Sequence, residues 1–125
     1  VKYFDMKINL KNGIDKLIFG MKQKDVSALY GKPDRNYKDE DDNVIFAYNA
    51  LKIRLTFYQE EEFKLGYMVA SSPDLDLYGN KVIGRKISDV KKELAQKGIT
   101  DEVVKFEIGA IINQKDEFDW KFGKK

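Results

Sequence analysis

Two acidic runs hold most of the groups in this chain that could do chemistry. Asp39-Glu40-Asp41-Asp42 and Glu60-Glu61-Glu62 supply carboxylates, which pair as general acid and base in hydrolases or ligate calcium and magnesium through oxygen. Between them lie Lys52, Arg54 and Tyr58, of which Arg and Tyr are favoured anchors at protein interfaces. The chain has no cysteine and no histidine. That removes disulfides, thiolate nucleophiles, zinc sites built from Cys or His, and every imidazole-based acid/base scheme.

The surviving chemistries are thinly supported. Asp39 with Glu61 would be the acid/base pair of a carboxylate hydrolase, but nothing fixes their separation or buries one of them to raise its pKa. Asp39 to Asn43 would make a divalent-metal loop, yet it lacks the glycine and the distal glutamate of an EF-hand. Ser71-Ser72 has neither a histidine nor an evident lysine partner. Trp120 alternates with Phe118 and Phe122, the spacing of a core strand rather than of a ligand platform. The expectation is therefore a chain without catalytic residues, metal or cofactor.

The elements that position these groups follow from periodicity. Phe4, Met6, Ile8 and Leu10 alternate with polar residues as a half-buried strand, and Asn12-Gly13 turns it. Gly20 precedes a helix over residues 22–30, with Val26, Leu29 and Tyr30 on one side and Gly31 and Pro33 ending it. Residues 36–43 read as a loop. Val44, Phe46 and Tyr48 alternate up to Asn49-Ala50, and Leu51, Ile53, Leu55 and Phe57 alternate away from it. A two-residue turn there sets Tyr48 against Leu51, Phe46 against Ile53 and Val44 against Leu55.

A third strand follows, with Phe63, Leu65, Tyr67 and Val69 inward and Met68 and Ala70 on the other face. Ser71-Ser72-Pro73-Asp74 then punctuates the chain, and Ser88 is the expected N-cap of a second helix running to Lys97, with Val90 and Leu94 inward. Val104, Phe106 and Ile108 alternate into Gly109-Ala110, and Phe118, Trp120 and Phe122 alternate near the end.

Placed side by side, Ile18-Phe19-Gly20 and Asp25-Val26 match Val82-Ile83-Gly84 and Asp89-Val90 at one offset. Phe46, Tyr48, Asn49 and Ala50 match Phe106, Ile108, Gly109 and Ala110 at another. The repetition predicts an α+β fold of two tandem units, about 1–72 and 73–125, each a short helix packed on an antiparallel β-sheet, in one compact domain.

Phe19-Gly20-Met21, Val26, Leu29, Gly31 and Pro33-Asp34 resemble the helix motif of the BamE/SmpA-type and beta-lactamase-inhibitor-like superfamily. That resemblance implies a tandem helix-and-sheet duplication and an inhibitor-like, protein-binding role. The lipidated cysteine of the outer-membrane members and the disulfides of the inhibitors have no counterpart here.

The functional expectation is a bacterial, non-catalytic protein-binding module, an inhibitor or a toxin-immunity protein. Its partner surface would be Asp39, Glu40, Asp41, Asp42, Lys52, Arg54, Tyr58, Glu60, Glu61 and Glu62, with Met68 beside them. The acidic loops would steer a basic protein, such as a toxin or enzyme. The net charge of +2 gives no field for nucleic acid. The charged, alternating start is unlike a signal peptide, and no apolar run spans a bilayer, so the expected compartment is the cytoplasm.

Overall fold

The structure, a computed structural model, describes residues 6–9, 12–83, 85–98, 111–114 and 117–123. Three short strands open it: β1 (Ile8–Asn9), β2 (Gly13–Ile14) and β3 (Leu17–Ile18) form an antiparallel sheet. The Asn12 N–H donates to the Asn9 carbonyl at 3.0 Å, and Gly13, expected in the turn, instead pairs with Asn9 as the first residue of β2. Phe4 and Leu10 of the predicted first strand lie outside the described residues.

Helix α1 (Gln23–Tyr30) begins one residue inside its predicted start. The Lys22 N–H donates to Asp25 Oδ2 at 3.1 Å, so an acid of the first turn satisfies an orphan donor. Gly31 ends the helix at φ 82°, a conformation that costs a residue without a β-carbon little, and its N–H reaches the Ser27 carbonyl at 2.8 Å. Val26 is fully buried, while Leu29 and Tyr30 are half-buried.

A four-stranded meander follows: β4 (Arg35–Lys38), β5 (Val44–Tyr48), β6 (Ile53–Tyr58) and β7 (Lys64–Ala70), all antiparallel. It departs from the sequence reading at three places. Part of the predicted 36–43 loop is strand β4. The β5–β6 connection is a four-residue loop, so Tyr48 pairs with Ile53, Phe46 with Leu55 and Val44 with Phe57. A two-residue turn would have placed Ala50 at positive φ; in the longer loop it is Lys52 that takes φ 55°. A slip of two residues preserves side-chain parity, so Val44, Phe46, Tyr48, Ile53, Leu55 and Phe57 still face the core.

The third departure is a bulge. Phe57 pairs with Leu65 but Thr56 pairs with Tyr67, which leaves Gly66 as the extra residue. Beyond it the alternation inverts. Met68 and Ala70 are fully buried, whereas Tyr67 and Val69 stand on the outer face.

After β7 come a two-residue hairpin and a helix: β8 (Asp76–Leu77), β9 (Asn80–Lys81) and α2 (Ile87–Gln96). Tyr78 and Gly79 both have positive φ at the hairpin tip, 52° and 87°. Lys86, not Ser88, occupies the N-cap of α2, and Val90 and Leu94 are buried as expected. The last strands are β10 (Ile111–Gln114) and β11 (Glu117–Gly123). The predicted strand of Val104, Phe106 and Ile108, and the Gly109-Ala110 turn, lie outside the described residues, as does Gly84.

The strand order of the main sheet is β10-β11-β7-β6-β5-β4. This overturns the expected α+β fold of two tandem helix-on-sheet units. The protein is mostly β, with three antiparallel sheets, two short α-helices and a single 3-10 turn at Gln59–Glu61 among the described residues. Strands from distant parts of the chain join in one sheet, where Trp120 and Phe122 stand opposite Ala70 and Met68 in the register. Val26 of α1 and Val90 and Leu94 of α2 belong to one hydrophobic cluster with the inner residues of β5, β6 and β7. Each fully buried side chain of that cluster, such as Leu55, Phe57 or Leu65, contributes about 1.5–3 kcal/mol over its exposed state.

Candidate functional site: the outer face of the large sheet

Because the helices and small sheets share the core side, the opposite face of β4 to β7 is left without a layer over it among the described residues. Two rows of side chains cross that face. Arg35, Ala47, Arg54 and Val69 form one, and Tyr37, Ile45, Thr56 and Tyr67 form the next. Two shallow depressions lie on it, of about 360 and 240 Å³, and they share Tyr37, Arg54 and Val69.

The charges on this face are polarised along the strands, with two exceptions: Lys64 pairs with Tyr58 at the acidic end, and Asp34 accepts the Asn49 N–H at 2.6 Å at the basic end. In an antiparallel meander alternate turns fall at the same end, so the β4–β5 and β6–β7 connections sit together, opposite the β5–β6 loop. The acidic runs occupy those two turns. Asn43 ties them, since the Gln59 N–H donates to Asn43 Oδ1 at 2.9 Å while Asn43 Nδ2 donates to Asp39 Oδ2 at 3.1 Å. Lys52 and Arg54 belong to the other end, and Arg35 stands level with Arg54 across Ala47.

Individual groups follow from these positions. Asp39 Oδ1 accepts the backbone N–H of Asp41 and of Asn43 at 2.9 and 3.0 Å. Slight desolvation would raise the Asp39 carboxyl, but the hydrogen bonds from Asn43 and Asp41 outweigh it and hold the group below the usual carboxylate range. Its oxygens are thereby committed to the turn. Among the described residues no group of three or more acidic side chains is placed so that it could hold a metal ion. Glu60 and Glu62 are exposed, and Lys22 Nζ donates to the Glu62 carbonyl at 2.9 Å, which fastens α1 to the acidic end.

The Tyr58 ring lies over Gly66, where a β-carbon added to the glycine would meet Tyr58 Cδ2 at 2.3 Å. Burial raises the Tyr58 phenol above its ordinary value, with Tyr67 and the acids Glu61, Asp39 and Glu60 acting in the same direction. Tyr67 is raised by burial too, with the Arg54 guanidinium pulling the other way. The Arg35 guanidinium sits 4.4 Å from the centre of the Tyr37 ring.

Of the site residues expected from the sequence, the structure gathers Asp39, Glu40, Asp41, Asp42, Glu60, Glu61 and Glu62 at one end and Lys52 and Arg54 at the other, with Tyr58 on the same face. Met68 is removed from the set because the bulge turns it into the core. Arg35, Tyr37, Tyr67, Val69 and Asn43 join the face without having been expected there. The first two lie in a strand with no apolar alternation, and the next two count as inward whenever the bulge is left out. Ser72, the nucleophile candidate, is buried and accepts the Asp74 N–H at 3.2 Å as part of a turn.

The glycine and helix motif has local work. The Gly20 N–H donates to the Leu65 carbonyl at 2.8 Å and the Leu65 N–H to the Met21 carbonyl at 2.7 Å, so the motif fastens the entry to α1 onto β7. Among the described residues no helix is long and apolar enough to cross a membrane.

Neither a family model nor a curated protein matches the chain. Among solved structures it is similar to an extracellular protein containing a SCP domain from Bacillus anthracis str. Ames, with a TM-score of 0.54 at 12% identity. The match covers 85% of this chain and 44% of that one, so the chain spans less than half the length of the neighbour. That likeness is one of fold alone.

Proposed function

We propose that the chain is a non-catalytic protein-binding module that holds a partner against the outer face of its large sheet. The observation that carries the reading is the face itself. Tyr37, Ile45, Thr56, Tyr67 and Val69 are half-buried, and no described residue packs over them. An excess of cations at one end and of acids at the other limits how a partner can lie on such a surface. Tyr and Arg are the side chains that supply most energy at protein interfaces, and both are concentrated here. A module of this kind acts by occupying a partner's working surface, as an inhibitor or a toxin-immunity protein does. The likeness of residues 19–34 to the BamE/SmpA-type and beta-lactamase-inhibitor-like superfamily agrees with the reading through the entry and helix alone.

The test is affinity capture from native lysate with three baits: the unaltered chain, a Tyr67→Ala/Val69→Ser variant, and a Lys24→Glu control on the exposed side of α1. A stoichiometric protein held by the first and third baits and lost by the second, with thermal transitions alike, is the expected result. Equal capture by all three baits, or no stoichiometric partner, would overturn the assignment.

A further inference from the structure

We propose that the depression between Arg35, Lys52 and Arg54 receives a carboxylate side chain of the partner, with an apolar neighbour of that side chain lying on Tyr37 and Tyr67. The proposal rests on the protein-binding reading and names what part of a partner this end of the face takes.

Three observations carry it. First, no acid lines the depression, and Arg35, Lys52 and Arg54 form no ion pair among the described residues. Ala47 lies between Arg35 and Arg54 in the register, so the two backbones are about 10 Å apart and one oxyanion fits between the guanidinium groups. Second, Arg35 is held over the Tyr37 ring, which orders the cation before anything binds. Third, the second depression begins where the first ends and is lined by Ile45, Thr56, Tyr67 and Val69, a surface for an apolar group.

The far end selects a carboxylate on a protein over a polyanion. From Arg54 to the end of β6 at Tyr58 the face runs about 13 Å, and the acidic turn holding Glu60 follows at once. A nucleic-acid strand following it would bring phosphates against Asp39 to Asp42 and Glu60 to Glu62. A protein segment with one acid, then apolar residues, then basic ones meets no such repulsion. The complementary partner strip is thus acidic, apolar and basic in order.

The experiment is a two-dimensional amide NMR titration of the full chain at low salt with N-acetyl-Asp-Phe-amide, N-acetyl-Asn-Phe-amide and hexathymidylate. The aspartyl probe should shift the amides of Arg35, Ala47, Arg54 and Val69. The asparaginyl probe should bind at least ~5-fold more weakly, and Arg54→Gln should weaken the aspartyl probe by about 5- to 10-fold. Raising salt should weaken the aspartyl probe and leave the neutral asparaginyl probe unchanged. Equal shifts from the two dipeptides, or none at 10 mM (about the weakest binding worth a site), would overturn the carboxylate site. So would hexathymidylate binding tighter than the aspartyl probe. The lysate capture stands apart from these outcomes: a partner lost with Tyr67→Ala/Val69→Ser but kept by Arg54→Gln would refute this inference and leave the module reading in place.

Discussion

Replacing Gly66 with Ala tests the feature that decides which residues of β7 lie on the outer face. The three atoms nearest to an added β-carbon all belong to Tyr58, at 2.3, 2.5 and 3.6 Å. Everything else lies farther off, so the clash is with one ring. Roughly 1 Å of retreat would restore ordinary carbon–carbon contact. The ring can lift into solvent and lose its burial over the bulge, or the strand can shift. Either route costs about 1–3 kcal/mol. In a Tyr58→Ala background the obstacle is gone, and Ala at a strand position should gain about 0.5–1 kcal/mol over Gly. Urea unfolding of the four chains gives the coupling directly, expected at about 2 kcal/mol or more. Additive effects, or a neutral Gly66→Ala in the unaltered chain, would show that the ring does not rest on this glycine.

The bulge makes a second prediction: Met68→Lys buries an ammonium and should cost about 4 kcal/mol or more, while Val69→Lys, one position on, should cost about 1 kcal/mol or less. Chemical denaturation would distinguish them, and the opposite order would restore the unbulged register. Alkaline titration probes the tyrosines. Burial raises the phenols of Tyr30, Tyr48, Tyr58 and Tyr67, and Tyr30 is raised further by donating to Asp15 Oδ2 at 2.6 Å. A raised phenol favours the folded state fully below the unfolded pKa of about 10, and that contribution is lost as pH climbs beyond it. Thermal scans should therefore be flat to about pH 9.5 and fall above it. Tyr30→Phe should fall less steeply there, after losing about 1 kcal/mol at neutral pH.

What can be read in advance depends on whether a feature survives a small error of count. The inner faces of β5 and β6 are legible although the expected register is off by two, because side chains repeat every two residues. The inner face of β7 is not, because one inserted residue inverts parity and Gly66 carries no side chain to announce it. Strand β4 is invisible because Arg35-Asn36-Tyr37-Lys38 shows no apolar alternation. At the sheet edge it has only β5 beside it, and three of its four side chains are exposed. Helix α1 is placed to within a residue by Val26 and Gly31, which act locally.

The apparent duplication fails for the opposite reason: its likeness is local and the sheet is not. Gly20 and Gly31 adjust backbone over a few residues, and a buried valine at the corresponding place in each helix says only that both helices have an inward side. Which strand lies beside which is settled over the whole chain, and β11 adds to β7 rather than closing a sheet of its own. The polarity of the outer face, by contrast, is implied by order alone. Acidic runs in alternate turns of a meander must meet at one end, and cations in the intervening loop must stand at the other. With 23 basic and 21 acidic residues the net charge conceals that division. On the proposed reading, a partner approaching this face would meet an oriented dipole rather than a charged protein, and charge would act on the direction of docking more than on attraction from afar.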